Sequence, residues 1–319
     1  MVRVCEDTLP AKGKCKAGFH IDEVLKANLD LYVKNAKNDW DFVLIISGGG
    51  QVRVGKSVLA LQLAYYWKDQ MKKVHGIDVP FTIEDNIVFR GKDLIKKGNH
   101  LGKNYPHSPL VFDEAGADLL GVKWQQKSTQ DVMDFLRESG QYNLFTILVI
   151  PDFFDMKKGV ALSRSDCLID VYVLPNEKGI WERGFYNFYS RPSKKNLYLF
   201  GKKELNYSAA KKDFHGRFYN NYPIDEQKYR EAKAIALKER ENDKPIDKYL
   251  IQRNVLFKIM TDNGFNQRQI SDLMKEHGIK LTNTAICEAL SSFKAQTYNK
   301  ILSKEEDYGG GEVEEDNDG

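Results

Sequence analysis

The segment Gly48-Gly49-Gly50-Gln51-Val52-Arg53-Val54-Gly55-Lys56-Ser57 constrains this 319-residue chain more than any other. Its spacing, Gly50-x4-Gly55-Lys56-Ser57, is the Walker A pattern. Glycines let a turn wrap an anion closely enough for several backbone N–H groups to point at it. A helix opening at the end of the turn adds the positive end of its dipole. Lys56 is then expected to reach the β- and γ-phosphates, and the Ser57 hydroxyl to ligate Mg²⁺. The pattern requires a buried strand before it and an amphipathic helix after it, and both are legible. Asp41–Ser47 is a continuous apolar run of the kind buried on both faces of a parallel sheet, and Ser57–Met71 has helical spacing. The nucleotide-binding residues are expected to be Gly50, Gln51, Val52, Arg53, Val54, Gly55, Lys56, Ser57 and Val58, with ATP and Mg²⁺ as ligands. Val52, Arg53 and Val54 are bulkier than usual here, and Arg53 either adds charge to the phosphate pocket or points to solvent.

Hydrolysis needs a second acidic element, and Leu110-Val111-Phe112-Asp113-Glu114 supplies one. An apolar strand ending in Asp-Glu matches Walker B: Asp113 is expected to hold Mg²⁺ and Glu114 to orient or deprotonate the attacking water. Around these motifs strands and helices alternate, with short strands at Asn86–Phe89 and Leu110–Asp113 and a helix at Asp93–Lys97. A longer helix follows at Trp124–Gly140, an apolar strand at Leu144–Ile150, and strands at Cys167–Val173, 185–189 and Asn196–Phe200. This order implies an α/β fold, a P-loop NTPase core with a mostly parallel sheet. His107 reads as a loop residue, and the aromatic run from Trp181 to Tyr189 as strand packing.

The P-loop, the segment LVFDEAG, a helix ending in Arg137-Glu138-Ser139-Gly140-Gln141-Tyr142-Asn143, the strand LFTILVI and then Pro151-Asp152 together resemble the additional-strand P-loop ATPases. That group includes the FtsK–HerA translocases, viral packaging ATPases and Zot-like proteins, and the resemblance covers roughly residues 20–205. It implies an ATP-hydrolysing motor that moves or packages double-stranded DNA for a virus or mobile element. It also implies a homo-oligomeric ring, a hexamer being one size it could take, in which an arginine reaches a neighbour's site. Arg164 is the first candidate for that arginine, with a surface ion pair as the alternative; Arg137 is the second. The chain departs from the group after LFTILVI, where Ile150-Pro151-Asp152 replaces a polar sensor, so either Asp152 or Thr146 takes that role or sensing is weak. Two rival readings are an ATP-switched DNA-binding regulator of partition type and a small-molecule kinase. The Asp113–Glu114 pair and the additional helical module argue against the kinase.

That module begins after a charged helix, Asp225–Asn242, and Lys244-Pro245. Helical patterns follow at Tyr249–Met260, Asn266–His277 and Thr282–Ala295, with Gly278 in the turn, and they resemble a small all-α helix-turn-helix domain. Thr282, Asn283 and Thr284 are expected to reach base edges or phosphates, and Arg268, Lys280 and Lys294 phosphates. A helical bundle for protein contacts is the alternative. The expected division is a basic irregular arm (1–20), the ATPase domain (21–222), a charged helix and linker (223–246), the helix-turn-helix (247–300) and an acidic disordered tail (301–319). From Lys304 onward the tail carries one lysine against eight acids, so the net charge of +3 conceals +10 on the remaining residues. A basic body suits a polyanionic partner. No apolar run approaches the roughly 20 residues of a membrane span, and Met1–Pro10 lacks the apolar core of a secretory signal, so a cytoplasmic location is expected. Cys5 and Cys15 form no CxxC pair and are read as ordinary thiols.

Overall fold

The computed structural model describes residues 1–10, 17–119, 127–242, 248–279 and 281–291. It divides into two compact units, Met1–Arg240 and Glu241–Gly319.

The first unit begins with β1 (Val2–Val4) paired antiparallel with β2 (Phe19–Ile21), Val4 opposite Phe19. This corrects the expectation of an irregular arm: Phe19 and Ile21 bury alternate positions of a three-residue strand, a pattern too short to register as periodic in sequence. Lys12, Lys14, Cys15 and Lys16 lie outside the described residues. Helix α1 (Glu23–Asn35) starts at Asp22, whose carboxylate accepts from the backbone N–H groups of Val24 and Leu25. That contact satisfies two of the donors a helix start leaves unpaired.

The central sheet contains β3 (Phe42–Ser47), β4 (Ile87–Val88), β5 (Pro109–Phe112), β6 (Phe145–Val149), β7 (Cys167–Pro175), β8 (Trp181–Tyr189) and β9 (Phe214–Arg217). Their order is β4-β5-β6-β3-β7-β8-β9. The strands from β4 to β7 run parallel, while β8 and β9 add antiparallel to one side. Strand β6 therefore lies between β3, which leads into the phosphate loop, and β5, which ends at Asp113.

Helices α2 (Lys56–His75), α3 (Ile83–Asn86), α4 (Gly91–Asn104), α5 (Gly116–Leu119), α6 (Lys127–Glu138), α7 (Arg191–Gly201) and α8 (Glu226–Asn242) complete the unit. The continuous apolar run of β3 follows from their placement. Leu44 and Ile46 pack with Leu25 and Leu29 of α1 and Leu59 and Leu63 of α2. Val43 and Ile45 point the other way, into a core with Leu94 of α4 and Leu136 of α6. Burying such a side chain contributes roughly 1.5–3 kcal/mol, so a strand covered on both faces has no position for a polar residue until Ser47. Trp67 of α2 locks one layer to the sheet: its indole stacks on Phe145 with centroids 4.4 Å apart, and its N–H donates to the His107 carbonyl at 2.8 Å.

Asn196–Phe200, expected as a strand, belongs to α7. Pro192 sits in the first turn, where its missing N–H costs nothing, and Lys194, Leu197, Tyr198 and Gly201 bury one helical face. Spacings of three and four outweigh the local aromatic content.

The second unit holds α9 (Lys248–Asp262), α10 (Gln267–Glu276) and a helix over 283–291, here α11. Phe257, Ile270, Ile286 and Ala289 form its core. Asn266 and Gln269 make a reciprocal capping box at the start of α10. Gly278, at φ +80°, supplies the left-handed residue after α10, and the Thr282 hydroxyl accepts from the Ala285 N–H at 3.2 Å. Among the described residues no helix is long and apolar enough to cross a membrane. The acidic tail lies outside the described residues.

Candidate functional site: a phosphate loop facing two acids

At the C-terminal end of β3 the chain turns through Gly49 (φ +52°), Gly50 (φ +76°), Arg53 (φ +61°) and Gly55 (φ +106°) before α2 begins at Lys56. Glycine takes these angles without steric cost, which accounts for its spacing in the loop. The loop is anchored from outside, since the Gly48 and Gly50 N–H groups both donate to the Pro151 carbonyl, at 3.2 and 3.0 Å. Val54 is buried in the core, whereas Gln51, Val52 and Arg53 are exposed. Lys56 Nζ donates to the Gln51 carbonyl at 2.6 Å, so the ammonium lies within the loop's curve. Burial lowers the Lys56 pKa, opposed by the charges of Glu114, Asp113 and Asp170.

Across from the loop, Ser57 Oγ donates to Asp113 Oδ1 at 3.0 Å. Asp113 is buried at the end of β5 and Glu114 follows at φ +65°, partly exposed. The glycine loop and the acidic end of β5 thus converge although 56 residues separate Ser57 from Asp113. One hydroxyl and one carboxylate on a single spot, completed by phosphate oxygens and water, form the all-oxygen set that suits Mg²⁺. Among the described residues no group of three or more His, Cys, Asp or Glu side chains forms a metal cage. A cation here would therefore be held jointly with a phosphate ligand. The whole constellation lines a cleft of ≈ 770 Å³ that continues past Gly184, Phe218 and Tyr222.

Helix α8 enters this site, although the sequence assigns it to a linker. Tyr229, buried at 3% exposure, donates its hydroxyl to Asp113 Oδ2. Lys233 Nζ lies 2.9 Å from Asp113 Oδ2 and 2.7 Å from Glu114 Oε1. Burial works against the Lys233 charge, yet the two carboxylates outweigh it and raise its pKa. Burial and the Asp113 charge raise the Tyr229 pKa in turn. A signal existed in the sequence: Tyr229, Ala232 and Ala236 form an apolar stripe on an otherwise charged helix, packed toward Leu61, Ile87 and Phe89. Lys233 is one turn from Tyr229 on that face.

A second polar group borders the loop. Ser47 Oγ donates to Asp170 Oδ1 at 3.1 Å, and Tyr207 OH donates to Asp152 Oδ1 at 2.9 Å. A Cβ added at Gly50 would lie 3.7 Å from Asp152 Oδ2, so Asp152 sits beside the phosphate loop. Thr146 does not, because it pairs with Val43 four residues before the end of β3. Burial pushes the Asp170 carboxyl up to about 7, with the Ser47 hydroxyl opposing, Asp152 adding and Lys56 opposing.

Arg164 lies elsewhere. Its guanidinium donates to Asp41, to the Leu136 carbonyl and to Ser139 Oγ. Asp41 precedes β3, and six residues at about 3.3 Å each put it roughly 20 Å from the phosphate loop. Within one chain Arg164 ties α6 to the N-terminal ends of β3 and β7. Arg137 is largely exposed and pairs only locally, with Asp134 at 2.8 Å. In the second unit Arg268, Thr282, Asn283 and Thr284 are all exposed, and Lys280 and Lys294 lie outside the described residues.

No protein-family profile matches the chain, and the comparison with curated proteins gives no match. Solved structures do show likeness. The genome-packaging NTPase B204 of Sulfolobus turreted icosahedral virus 2, in complex with AMPPCP, aligns at 17% identity over 49% of this chain and 95% of its own, TM-score 0.32. B204 described as the DNA-packaging ATPase of Sulfolobus turreted icosahedral virus aligns at 19% identity over the same shares, TM-score 0.33. The N-terminal domain of zonular occludens toxin from Neisseria meningitidis aligns at 14% identity over 60% of this chain and 98% of its own, TM-score 0.35. The class that fold and site define is an α/β protein with a mostly parallel sheet and a P-loop NTPase-like arrangement.

Proposed function

We propose that the chain is an ATPase whose turnover drives movement or packaging of double-stranded DNA as a homo-oligomeric ring. The observation that carries the ATPase reading is the convergence of Ser57, Asp113 and Glu114 at the mouth of the glycine loop, with Ser57 Oγ 3.0 Å from Asp113. A nucleotide switch or a small-molecule kinase needs the loop but not a carboxylate directly after the metal-binding aspartate.

In this reading the loop N–H groups and the N-terminus of α2 hold the β-phosphate, and Lys56 spans the β- and γ-phosphates. Ser57 and Asp113 would hold Mg²⁺, which when bound would neutralise phosphate charge and orient the terminal phosphate for in-line attack. Glu114 would accept the proton of the attacking water, taking Oε1 as the acceptor once Lys233 has released it. Asp152, beside Gly50, is positioned to respond to the terminal phosphate through its bond to Tyr207.

The neighbour's arginine is assigned to Arg137 before Arg164. Among the described residues Arg137 pairs with Asp134 alone, whereas Arg164 would have to surrender its bonds to Asp41 and Leu136. The second unit would contact DNA through Arg268 and through Thr282, Asn283 and Thr284 at the start of α11. The test measures phosphate release with and without double-stranded DNA, alongside particle size in ATP. Turnover stimulated by DNA in a ring-sized particle supports the motor; turnover indifferent to DNA in a monomer refutes it.

A further inference from the structure

We propose that α8 is a built-in lock on the catalytic acids: Lys233 holds the cation position between Asp113 and Glu114, and binding of a Mg²⁺-nucleotide displaces it. The inference rests on the nucleotide-binding reading of the same cleft.

Three contacts tether the helix. Tyr229 donates to Asp113, Lys233 bridges Asp113 and Glu114 at 2.9 and 2.7 Å, and Glu239 pairs with Arg90 at 2.5 Å. The segment before α8 is pinned as well: Gln62 Nε2 of α2 donates to the carbonyls of Tyr219 and Asn221, at 2.7 and 2.8 Å. Tyr229 also packs its ring 5.9 Å from that of Phe89. Helix α8 is therefore docked rather than loosely attached.

The chemistry at the docking point is what makes it a lock. Asp113 has one oxygen on Ser57 and the other on Tyr229 and Lys233, so a divalent cation at Asp113 has to compete with these contacts. Glu114 Oε1 faces the same ammonium, which weakens it as a proton acceptor while the contact lasts. A lysine is a fair substitute for a metal in charge balance, since it partly neutralises two adjacent carboxylates. Yet an ammonium and Mg²⁺ repel each other, so the two cannot both sit against Asp113. Metal entry and Lys233 departure are then one exchange.

The experiment titrates full-length protein with ADP by calorimetry, without and with Mg²⁺, in wild type, Lys233→Met and Tyr229→Phe. Circular dichroism confirms that each variant is folded, and Tyr229→Phe removes one oxygen without disturbing the packed ring. Metal-free ADP reports changes that do not involve the cation, so the readout is the ratio of affinities with and without Mg²⁺ in each protein. The gain in affinity conferred by Mg²⁺ should be about tenfold larger in Lys233→Met, the scale of removing one unit charge from beside a metal in a wet pocket. Tyr229→Phe should show a smaller increase in the same direction. Amide hydrogen exchange over 226–242 should also rise in wild type when Mg²⁺-ADP is added. An equal Mg²⁺ gain in all three proteins, or a smaller one in Lys233→Met, overturns the lock and leaves nucleotide binding intact. Absence of ADP binding in every protein removes the nucleotide reading, and the lock falls with it.

Discussion

Asp170 offers the sharpest quantitative test of the cluster beside the phosphate loop. It is 6% exposed on β7, its carboxylate accepts from the Ser47 hydroxyl, and burial raises its carboxyl from 3.8 to about 7. The folded chain keeps this proton up to about pH 7, whereas the unfolded chain releases it near 3.8. Between those values the native state binds more protons, so stability falls as pH rises. The penalty is absent below the unfolded value and complete above the folded one. Three pH units amount to roughly 4 kcal/mol, an upper figure because water and side chains relax around an ionised group. Asp170→Asn keeps the acceptor for Ser47 and removes the ionisation. Urea unfolding of nucleotide-free protein, followed by the fluorescence of buried Trp67, should therefore give equal stabilities near pH 4. The variant should gain steadily to pH 8, by about 2–4 kcal/mol. A stability difference that does not change with pH would refute the reasoning, as would a variant less stable than wild type at pH 8.

Other perturbations have equally definite outcomes. Glu114→Gln should retain nucleotide affinity within about threefold while lowering turnover by about 100-fold or more, the scale of losing a general base; filter binding and phosphate release read the two separately. Arg164→Ala should cost roughly 1.5–3 kcal/mol of stability through its lost charged hydrogen bonds, and denaturant titration checks this. Mixing Arg137→Ala with a Lys56→Ala protein should restore part of the turnover, because each supplies the residue the other lacks. No rescue in that mixture would end the trans-acting role of Arg137. Gly184→Ala should destabilise by about 2 kcal/mol or more, since its backbone is at φ +96° and an added Cβ would lie 2.2 Å from the Phe218 carbonyl oxygen; its melting temperature reports this.

What could be read in the sequence was local. The run Phe42–Ser47, the glycine spacing after it, Asp113–Glu114 at the end of β5 and the strand at Phe145–Val149 each carry their signal within about ten residues. Chain order alone does not say that β6 is inserted between β3 and β5. The misread elements depended on distant partners. Strand β1 exists because β2 returns to it, β9 because β8 offers an edge, and Asn196–Phe200 is helical because Leu197 and Tyr198 face the core beneath β7. The part of α8 is the clearest case. Tyr229 and Lys233 look like a solvated helix by composition, and only folding brings them 116 and 120 residues back to Asp113. Arg164 shows the reverse: a position before β7 suggested an intersubunit role, and the folded chain gives it Asp41 and Leu136.

The central claim is that backbone amides of the loop after β3, with Lys56, grip a triphosphate. Calorimetric titration of Mg²⁺-ATP into wild type and Lys56→Ala tests it most directly. Loss of the ammonium's charged hydrogen bonds, each worth about 1.5–3 kcal/mol, should weaken binding by roughly 10- to 100-fold. Saturable binding to wild type with that loss is the predicted result. Undiminished affinity in Lys56→Ala, or no heat of binding to wild type, would contradict the account.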